Sequence, residues 1–174
     1  MPFDAQPTLR GQLLCVRPLH SMDFEDLFQV ARDPLIWAHH PVPDRHRRDV
    51  FTRFFAESLA SGGALAVTST EGEIIGSSRF HGFDADRGEV EIGWTFLDRS
   101  YWGGPANAEL KRLMVSHAFR FVERVVFLVG PDNRRSQRAL EKIGAVRAGS
   151  RPDAAGLPSL QFELRRPAAG EGLY

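Results

Sequence analysis

The middle of this chain changes abruptly from the period of a strand to the period of a helix. Apolar and polar residues alternate over residues 89–96, as they do in a strand with one buried face. The apolar residues of 110–121 instead fall on one face of a helix, which leaves Lys111 on its polar face. Gly103 and Gly104 lie between the two patterns and let the backbone bend sharply. A strand, a tight turn and a helix are therefore predicted in direct succession.

The start of that helix is a candidate anion site. Pro105 has the fixed φ that suits the first position of a helix. Three amides would then lack partners within the helix, and together with the helix dipole they suit a pyrophosphate. These amides belong to Ala106, Asn107 and Ala108. A glycine pair before a helix is also common where no phosphate binds, so both interpretations stay open. The spacing excludes a nucleoside-triphosphate loop and a three-glycine dinucleotide motif.

A second junction of a strand with a helix follows downstream. The apolar run 125–129 leads into Gly-Pro-Asp-Asn, where Asp132 or Asn133 can cap a new helix. Gly144 is predicted to end that helix in the left-handed conformation. Polar side chains cluster around its first turns, and each of them is either a ligand or an ordinary cap or solvated residue. They are Asn133, Arg134, Arg135, Ser136 and Arg138.

Taken together, these segments resemble the GNAT superfamily of acyl-CoA-dependent N-acetyltransferases, in particular the branch with the ribosomal-protein N-terminal acetyltransferases. The resemblance rests on Glu-Ile-Gly-Trp at 91–94, on Tyr-Trp-Gly-Gly at 101–104 followed by Glu109, and on the run 133–145. It implies a mixed α/β fold with a central twisted sheet, helices on both sides and splayed central strands. It also implies acetyl-CoA as cosubstrate and transfer of its acetyl group to a primary amine by direct attack in a ternary complex.

The resemblance further implies where the cofactor binds. The backbone of Phe96 and Leu97 is expected to contact the pantetheine arm where the central strand parts from its neighbour. The glycine loop is expected to hold the pyrophosphate, and the second helix the pantetheine or the adenosine. The remaining cofactor residues are Trp102, Gly103, Gly104, Ala106, Asn107, Ala108, Asn133, Ser136 and Arg138.

Two features depart from the family pattern. Pro105 cannot donate a hydrogen bond, so Gly104 or the Asn107 side chain compensates, or the affinity for the cofactor is lower. Many members use a tyrosine on the second helix to protonate the departing thiolate, and residues 134–142 contain none.

The catalytic prediction comes from the central strand. Its alternation places Glu89, Glu91 and Thr95 together on the face opposite Trp94. An amine must lose a proton to attack a thioester, and Glu91 is the first choice for the base, acting directly or through water. A solvated or ion-paired strand glutamate is the alternative. Thr95 is included in the candidate catalytic group.

A hairpin between residues 74–83 and the central strand would add two polar residues. His81 would face Glu91 and Arg79 would face Gly93, while Phe83 and Ser77 would face Glu89 and Thr95. His81 then shares the role of the base or is simply a surface residue. Arg79 binds an acidic group of the acceptor or pairs with Glu91.

Residues 37–44 are rich in Trp, His and Pro, and in the resembled fold this segment overhangs the acceptor site. Trp37 and His40 are therefore candidate substrate-binding residues, with a solvated loop as the alternative for the histidines. No cysteine or paired acidic cluster lies nearby, so a metal site is not expected.

Composition sets the broad class. The 174 residues, 43% of them hydrophobic, suffice for one domain, predicted over 1–174 with a core at about 11–166 and a frayed tail at 167–174. Equal numbers of acidic and basic residues, 22 each, argue against a nucleic-acid partner. The chain has no signal peptide and no apolar run that could span a membrane, which predicts a cytoplasmic protein.

Several alternatives remain open at this level. The acceptor is a small-molecule amine or a protein N-terminus, and a homodimer is compatible with the sequence. A CoA-binding sensor or interaction module without catalysis is the second functional hypothesis, because Pro105 interrupts the phosphate loop. A generic nucleotide-binding domain is the third.

Overall fold

One twisted sheet of eight strands forms the centre of the computed structural model, which describes residues 2–168. The spatial order is β1-β2-β3-β4-β5-β6-β8-β7, and every neighbouring pair is antiparallel except β5 and β6, which are parallel. The strands are β1 (Leu9–Arg10), β2 (Leu14–Pro18), β3 (Ala64–Ser69), β4 (Ile74–Asp84), β5 (Glu89–Leu97), β6 (Arg124–Val129), β7 (Val146–Pro152) and β8 (Pro158–Arg165). The mixed α/β fold class predicted from the sequence is confirmed.

Helices cover both faces of this sheet. They are α1 (Phe24–Ala31), α2 (Pro34–Trp37), α3 (Arg48–Ala60), α4 (Ala106–Ala118) and α5 (Arg134–Lys142). Neighbouring residues of β3 alternate between two buried clusters, since Leu65 packs with α4 and α5 whereas Ala66 packs with α1, α2 and α3. The protein therefore has two hydrophobic cores, one on each side of the sheet.

A short turn and a proline define the starts of the N-terminal helices. Ser21 opens a short 3-10 turn ahead of α1, and the Asp23 carboxylate accepts the His20 amide at 2.8 Å. Pro34 is the first residue of α2, whose N-cap is Asp33. Of the predicted frayed tail, residues 169–174 lie outside the described part of the chain.

The strands β5 and β6 pair over only three residues, and this sets the position of every later contact. Glu89, Val90 and Glu91 pair with residues 124–126, and no further pairs connect the two strands over residues 2–168. Beyond Glu91 the strands separate and leave a wedge between them. The splayed central strands implied by the family resemblance are thus present.

A bulge in β5 moves the side chains of its second half to the opposite faces of the sheet from those of a regular strand. Trp94 has a φ of +52°, which is rare for a residue other than glycine, and the register with β4 shifts beside it. Ile92 and Leu97 consequently pack on the side of α4, whereas Phe96 packs on the side of α3. Glu91 and Thr95 lie on opposite faces of the sheet, and their predicted grouping on one face was wrong.

The predicted hairpin register holds at its centre and slips at both ends. His81 lies opposite Glu91, and Arg79 lies opposite Gly93. Asp84 rather than Phe83 faces Glu89, and Ser77 faces Phe96 rather than Thr95. Irregularities on either side of the centre account for both slips, because each inserts an extra residue into one strand.

A buried carboxylate fixes the start of α4 against the N-terminal strands. Glu109 is 5% exposed and accepts hydrogen bonds from the amides of Gln12, Leu13 and Leu14 at 2.9, 2.8 and 3.1 Å. Gly11 is packed against the same group, since a Cβ at this position would lie 2.4 Å from Oε2 of Glu109. The helix that follows the glycine loop is thereby anchored to the β1–β2 turn.

Removal of this carboxylate is expected to destabilise the protein. In Glu109→Ala three amides lose a charged acceptor, and we expect the free energy of unfolding to fall by about 2–4 kcal/mol. Urea denaturation measures this, with Glu141→Ala on the exposed surface of α5 as the matched control. Equal unfolding midpoints for the two variants would contradict the anchoring role.

Candidate active site

A cleft of 760 Å³ occupies the wedge between the separating strands. Its walls are the second half of β5, the end of β6, and the N-terminal turns of α4 and α5. The cofactor residues predicted from the resemblance line it, with the exception of Ala106. Ala106 is 6% exposed and belongs to the core under α4, so only its amide is available to a ligand.

The glycine loop presents free backbone donors to one end of the cleft. Gly103 has a φ of +72°, a conformation that requires glycine, and α4 begins at Ala106 with Pro105 as its N-cap residue. The first helical hydrogen bond runs from the Glu109 amide to the Pro105 carbonyl at 2.9 Å. The amides of residues 106–108 therefore have no partner within the helix, as the sequence predicted. Pro105 lies one position earlier than predicted, and its missing N–H removes no donor from the helix itself.

A cation–π contact joins the two helix starts. The Arg135 guanidinium carbon of α5 lies 3.6 Å from the ring centroid of Trp102, and the Trp102 indole N–H donates to the Leu97 carbonyl at 3.0 Å. The Leu97 carbonyl therefore accepts one hydrogen bond from within the protein, and its second lone pair remains for another donor. The pairing of Arg135 with Trp102 was missed, since the two residues come from segments that no sequence pattern relates.

Asn133 caps α5, which is the alternative to a role as a cofactor ligand. It is 9% exposed, and its side-chain oxygen accepts from the Ser136 amide at 3.2 Å. Gln137 reinforces the turn by donating to the Gly130 and Pro131 carbonyls at 3.2 and 2.8 Å. Asn133, Ser136 and the exposed Arg138 nevertheless border the cleft, so the cap also forms part of its wall.

Glu91 is a half-buried carboxylate at the other end of the cleft. Burial raises the pKa of this carboxyl to about 7, and Asp153 adds to the rise while Arg151 and Arg79 oppose it. The arginines nearby pair elsewhere, since Arg151 binds Glu89 at 3.1 Å. Glu91 forms no ion pair within residues 2–168, which leaves its carboxylate available to a ligand.

Arg79 does not form the predicted ion pair with Glu91. Its guanidinium donates to the Ser58 hydroxyl at 2.6 Å and lies 4.3 Å from the ring centroid of Trp94. It is 6% exposed and lies between the sheet and α3, away from the cleft. His81 is exposed, and the centroid of its ring lies 5.2 Å from that of Trp94. Within residues 2–168 neither His81 nor Arg79 forms a hydrogen bond or an ion pair with Glu91, and both pack on the Trp94 ring instead.

Lys111 lies inside the protein, and its prediction as a polar-face residue was wrong. It is 7% exposed, and its Nζ donates to the Thr95 hydroxyl at 2.9 Å. Burial lowers the pKa of its amine to about 8. Helical periodicity gives no sign of this, because the wedge in the sheet opens space beneath α4 that only a folded structure reveals.

The side of the cleft formed by residues 37–45 is built on aromatic rings. Trp37 is 2% exposed, its indole donates to the Ala31 carbonyl at 2.7 Å, and its ring packs 4.9 Å from Phe96. It is thus a core residue with an edge at the cleft, rather than a free substrate-binding side chain. His40 stands edge-on to Trp37 and accepts the Val42 amide at 2.9 Å, and burial with the nearby Arg45 lowers its pKa to about 4. His40 is therefore neutral at pH 7.

Arg45 adds a positive charge to this side that sequence reasoning missed. Its guanidinium carbon lies 4.3 Å from the ring centroid of Phe54 and 5.2 Å from that of Trp37. Burial, followed by repulsion from Arg79, lowers its pKa to about 10. This side of the cleft consequently combines apolar rings with a guanidinium.

Of the helices formed by residues 2–168, none has the length and apolar character needed to cross a bilayer. The same part of the chain contains no group of three or more His, Cys, Asp or Glu side chains placed to hold a metal ion.

Comparison with known proteins agrees with this geometry. Residues 14–146 match the family described as "Acetyltransferase (GNAT) domain". The N-acetyltransferase p20 of Bacillus licheniformis, itself uncharacterised, is 25% identical over 151 residues, which cover 82% of this chain and 84% of that protein.

Solved structures share the fold over almost the whole chain. A GCN5-related N-acetyltransferase from Brucella melitensis has a TM-score of 0.79 at 19% identity, covering 94% of this chain and 80% of that one. RimJ from Mycobacterium smegmatis, solved in complex with CoA-disulfide, has a TM-score of 0.71 at 16% identity, with 96% and 90% covered. Because the family match spans most of the sequence, the chain belongs to the GNAT family of acetyl-CoA-dependent N-acetyltransferases.

Proposed function

We propose that this protein transfers an acetyl group from acetyl-CoA to a primary amine by direct attack in a ternary complex. One observation carries the proposal: a single cleft has free helix-terminal amides at one end and an unpaired, half-buried Glu91 at the other. Donors suited to a pyrophosphate and a base suited to an amine are thus available to one extended ligand. We propose the cytoplasm as its location.

The cofactor residues have distinct roles in this proposal. The amides of residues 106–108, with Gly103 and Gly104, hold the pyrophosphate, while Arg138 adds positive charge at the cleft rim. Backbone groups of β5 near Phe96 bind the pantetheine arm in the wedge, much as an added strand would. Arg135 and Trp102 keep the two helix starts together.

Glu91 is the proposed base. A carboxylate with a pKa near 7 is ionised in part at neutral pH and is basic enough to take a proton from the attacking amine. His81 has no role in this proposal, because its exposed ring packs on Trp94 outside the cleft. Thr95 acts through Lys111 rather than on the amine, since it lies on the opposite face of the sheet from Glu91.

The charges around the cleft bear on the acceptor. Basic side chains outnumber acidic ones along its lining, and Arg45 is the charged group beside Trp37. A polyamine would bring several positive charges towards this guanidinium and is disfavoured. We propose an acceptor with one reactive amine, either a small molecule or a protein N-terminus. RimJ and a ribosomal-protein-serine acetyltransferase from Vibrio cholerae are among the proteins of the same fold, which is consistent with a protein acceptor.

CoA binding is the first expectation to test. Ligands that bind the native state raise its apparent stability, so CoA and acetyl-CoA are expected to raise the melting temperature, whereas ATP and NAD are not. Differential scanning fluorimetry at saturating ligand measures this. Equal shifts with ATP would favour a generic nucleotide site, and CoA binding without amine-dependent thiol release would favour the non-catalytic module.

Loss of the base is expected to slow transfer without weakening CoA binding. In Glu91→Gln we expect kcat to fall about 10²-fold or more, and the acidic limb of kcat/KM near pH 7 to disappear. A thiol-release assay across pH 5.5–9 reports both, with Glu71→Gln in an exposed turn as control. An unchanged acidic limb would exclude Glu91 as the base.

The same group predicts a pH dependence of stability. The native pKa of about 7 lies above the ordinary value of 4.5, so the neutral carboxyl stabilises the fold below pH 4.5 and this contribution is lost as pH rises through 7. Glu91→Gln stays neutral, and its stability relative to wild type should increase between pH 5 and pH 8. Urea unfolding at both pH values tests this. Parallel behaviour of the two proteins would mean that the Glu91 carboxyl is solvated.

A further inference from the structure

Lys111 spans the floor of the wedge between the two separating strands. Its Nζ lies 2.9 Å from the Thr95 hydroxyl on β5 and 5.5 Å from the ring centroid of Phe127 on β6. Both neighbours border the cleft, as does Lys111 itself. A ligand lying in the wedge would therefore rest on this amine.

The positive charge of Lys111 has no counter-ion within residues 2–168. Glu109, two residues earlier, is directed to the amides of the β1–β2 turn, and Glu91 leaves β5 on the opposite face. Burial is the only cause of the lowered pKa of the amine, so no charged group of a neighbouring element offsets it. An isolated buried ammonium is costly for a fold to maintain. Its position at the cleft indicates that the charge acts on a ligand.

A chain of hydroxyl groups orients this amine. An ammonium can only donate, so the Thr95 oxygen accepts from Lys111, and the Thr95 and Ser78 hydroxyls share a second hydrogen bond of 2.8 Å in which either can be the donor. Ser78 is 1% exposed and lies 3.5 Å from the Gly93 carbonyl beside the bulge. One of the three N–H donors of Lys111 is used in this way, which leaves two for a ligand.

We propose that Lys111 donates the proton that the departing CoA thiolate takes up during acyl transfer, with Thr95 as its positioning residue. The proposal rests on the proposed function. The amine lone pair forms the new C–N bond, the C–S bond breaks, and its electron pair leaves with sulfur. Sulfur takes a proton from the Lys111 ammonium, and the nitrogen of the acceptor loses a proton to Glu91. Exchange with water then reprotonates Lys111 and deprotonates Glu91.

The geometry and the chemistry of the cleft agree with this assignment. No tyrosine or cysteine borders the cleft in the described part of the chain, so neither a phenol nor a thiol side chain is available there to donate this proton. The bulge at Trp94 turns Thr95 towards Lys111 on the α4 side of β5, while Glu91 lies on the other side, so an acid and a base can approach one thioester from two directions. A cysteine thiol has an ordinary pKa near 8.5, so an ammonium with a pKa of about 8 falls in the range suited to proton donation to an alkyl thiolate.

The first experiment requires no acceptor. The ultraviolet absorbance of the CoA thiolate is titrated in complexes with wild type, Lys111→Met and Lys142→Met, the last removing the only other lysine of the chain. A nearby ammonium favours the thiolate, so the pKa of the bound thiol should be lower in wild type and Lys142→Met than in Lys111→Met, by about one unit. Equal thiol pKa values in all three complexes would overturn the role of Lys111 and leave the proposed function intact. Failure of wild type to bind CoA would refute the proposed function, and this inference with it.

Kinetics then separate proton donation from binding and from folding. Lys111→Met retains the apolar stem, and Lys111→Arg retains the charge but cannot release a proton at neutral pH. Both variants should lose kcat about 10²-fold with unchanged affinity for CoA, and the basic limb near pH 8 should vanish. The melting temperature of Lys111→Met should not fall, because an apolar group replaces a buried charge. A raised KM for acetyl-CoA with normal kcat, or full activity of Lys111→Arg, would show that Lys111 only binds.

Discussion

The early end of pairing between β5 and β6 is the constraint on which the rest of the structure depends. Only three residue pairs connect the two strands before they separate, so the sheet is interrupted at its centre rather than at an edge. The edge of β5 that faces β6 consequently lacks a strand partner beyond Glu91, and such backbone groups require a substitute when water is excluded. The helices α4 and α5 begin on either side of this opening, and the free amides of residues 106–108 at the start of α4 extend the same demand for a ligand. The cleft is therefore a direct product of the fold, since it lies where β5 and β6 stop pairing.

The bulge at Trp94 gives the cleft two chemically different sides. In a regular strand Glu91 and Thr95 would share a face, and Lys111 on α4 would lose its hydroxyl partner. With one extra residue between them, Glu91 faces the aromatic side of the sheet and Thr95 faces α4. The carboxylate and the ammonium are thus separated by the strand instead of forming an ion pair. Each remains shifted by burial rather than by the other, Glu91 upward and Lys111 downward.

The features that the sequence predicts well are those that depend on short stretches of chain. The two changes from strand to helix period, the left-handed Gly103 and Gly144, and the free amides after Pro105 all follow from local sterics and hydrogen bonding. The predicted face of Thr95 was wrong because the bulge arises from the pairing of β4 with β5. The sequence of β5 alone does not predict it. Lys111 was misplaced for a related reason. A lysine stem is apolar over most of its length, so it fills a gap whose existence depends on the separation of distant strands.

The burial of Glu91 and Lys111 limits the pH range in which both groups are charged. Each group can relieve its desolvation by becoming neutral, Glu91 by binding a proton and Lys111 by releasing one. The proposed transfer requires the opposite states, an ionised Glu91 and a protonated Lys111, and with pKa values of about 7 and about 8 these states coexist chiefly between those two values. A fold that buried either group more deeply would narrow this window from one side. Glu91 is only half-buried, and the Lys111 ammonium donates to the Thr95 hydroxyl, so each charged form keeps a polar neighbour or solvent. The proposed pH window therefore depends on how far each group is buried, while the separation of β5 and β6 shapes the cleft.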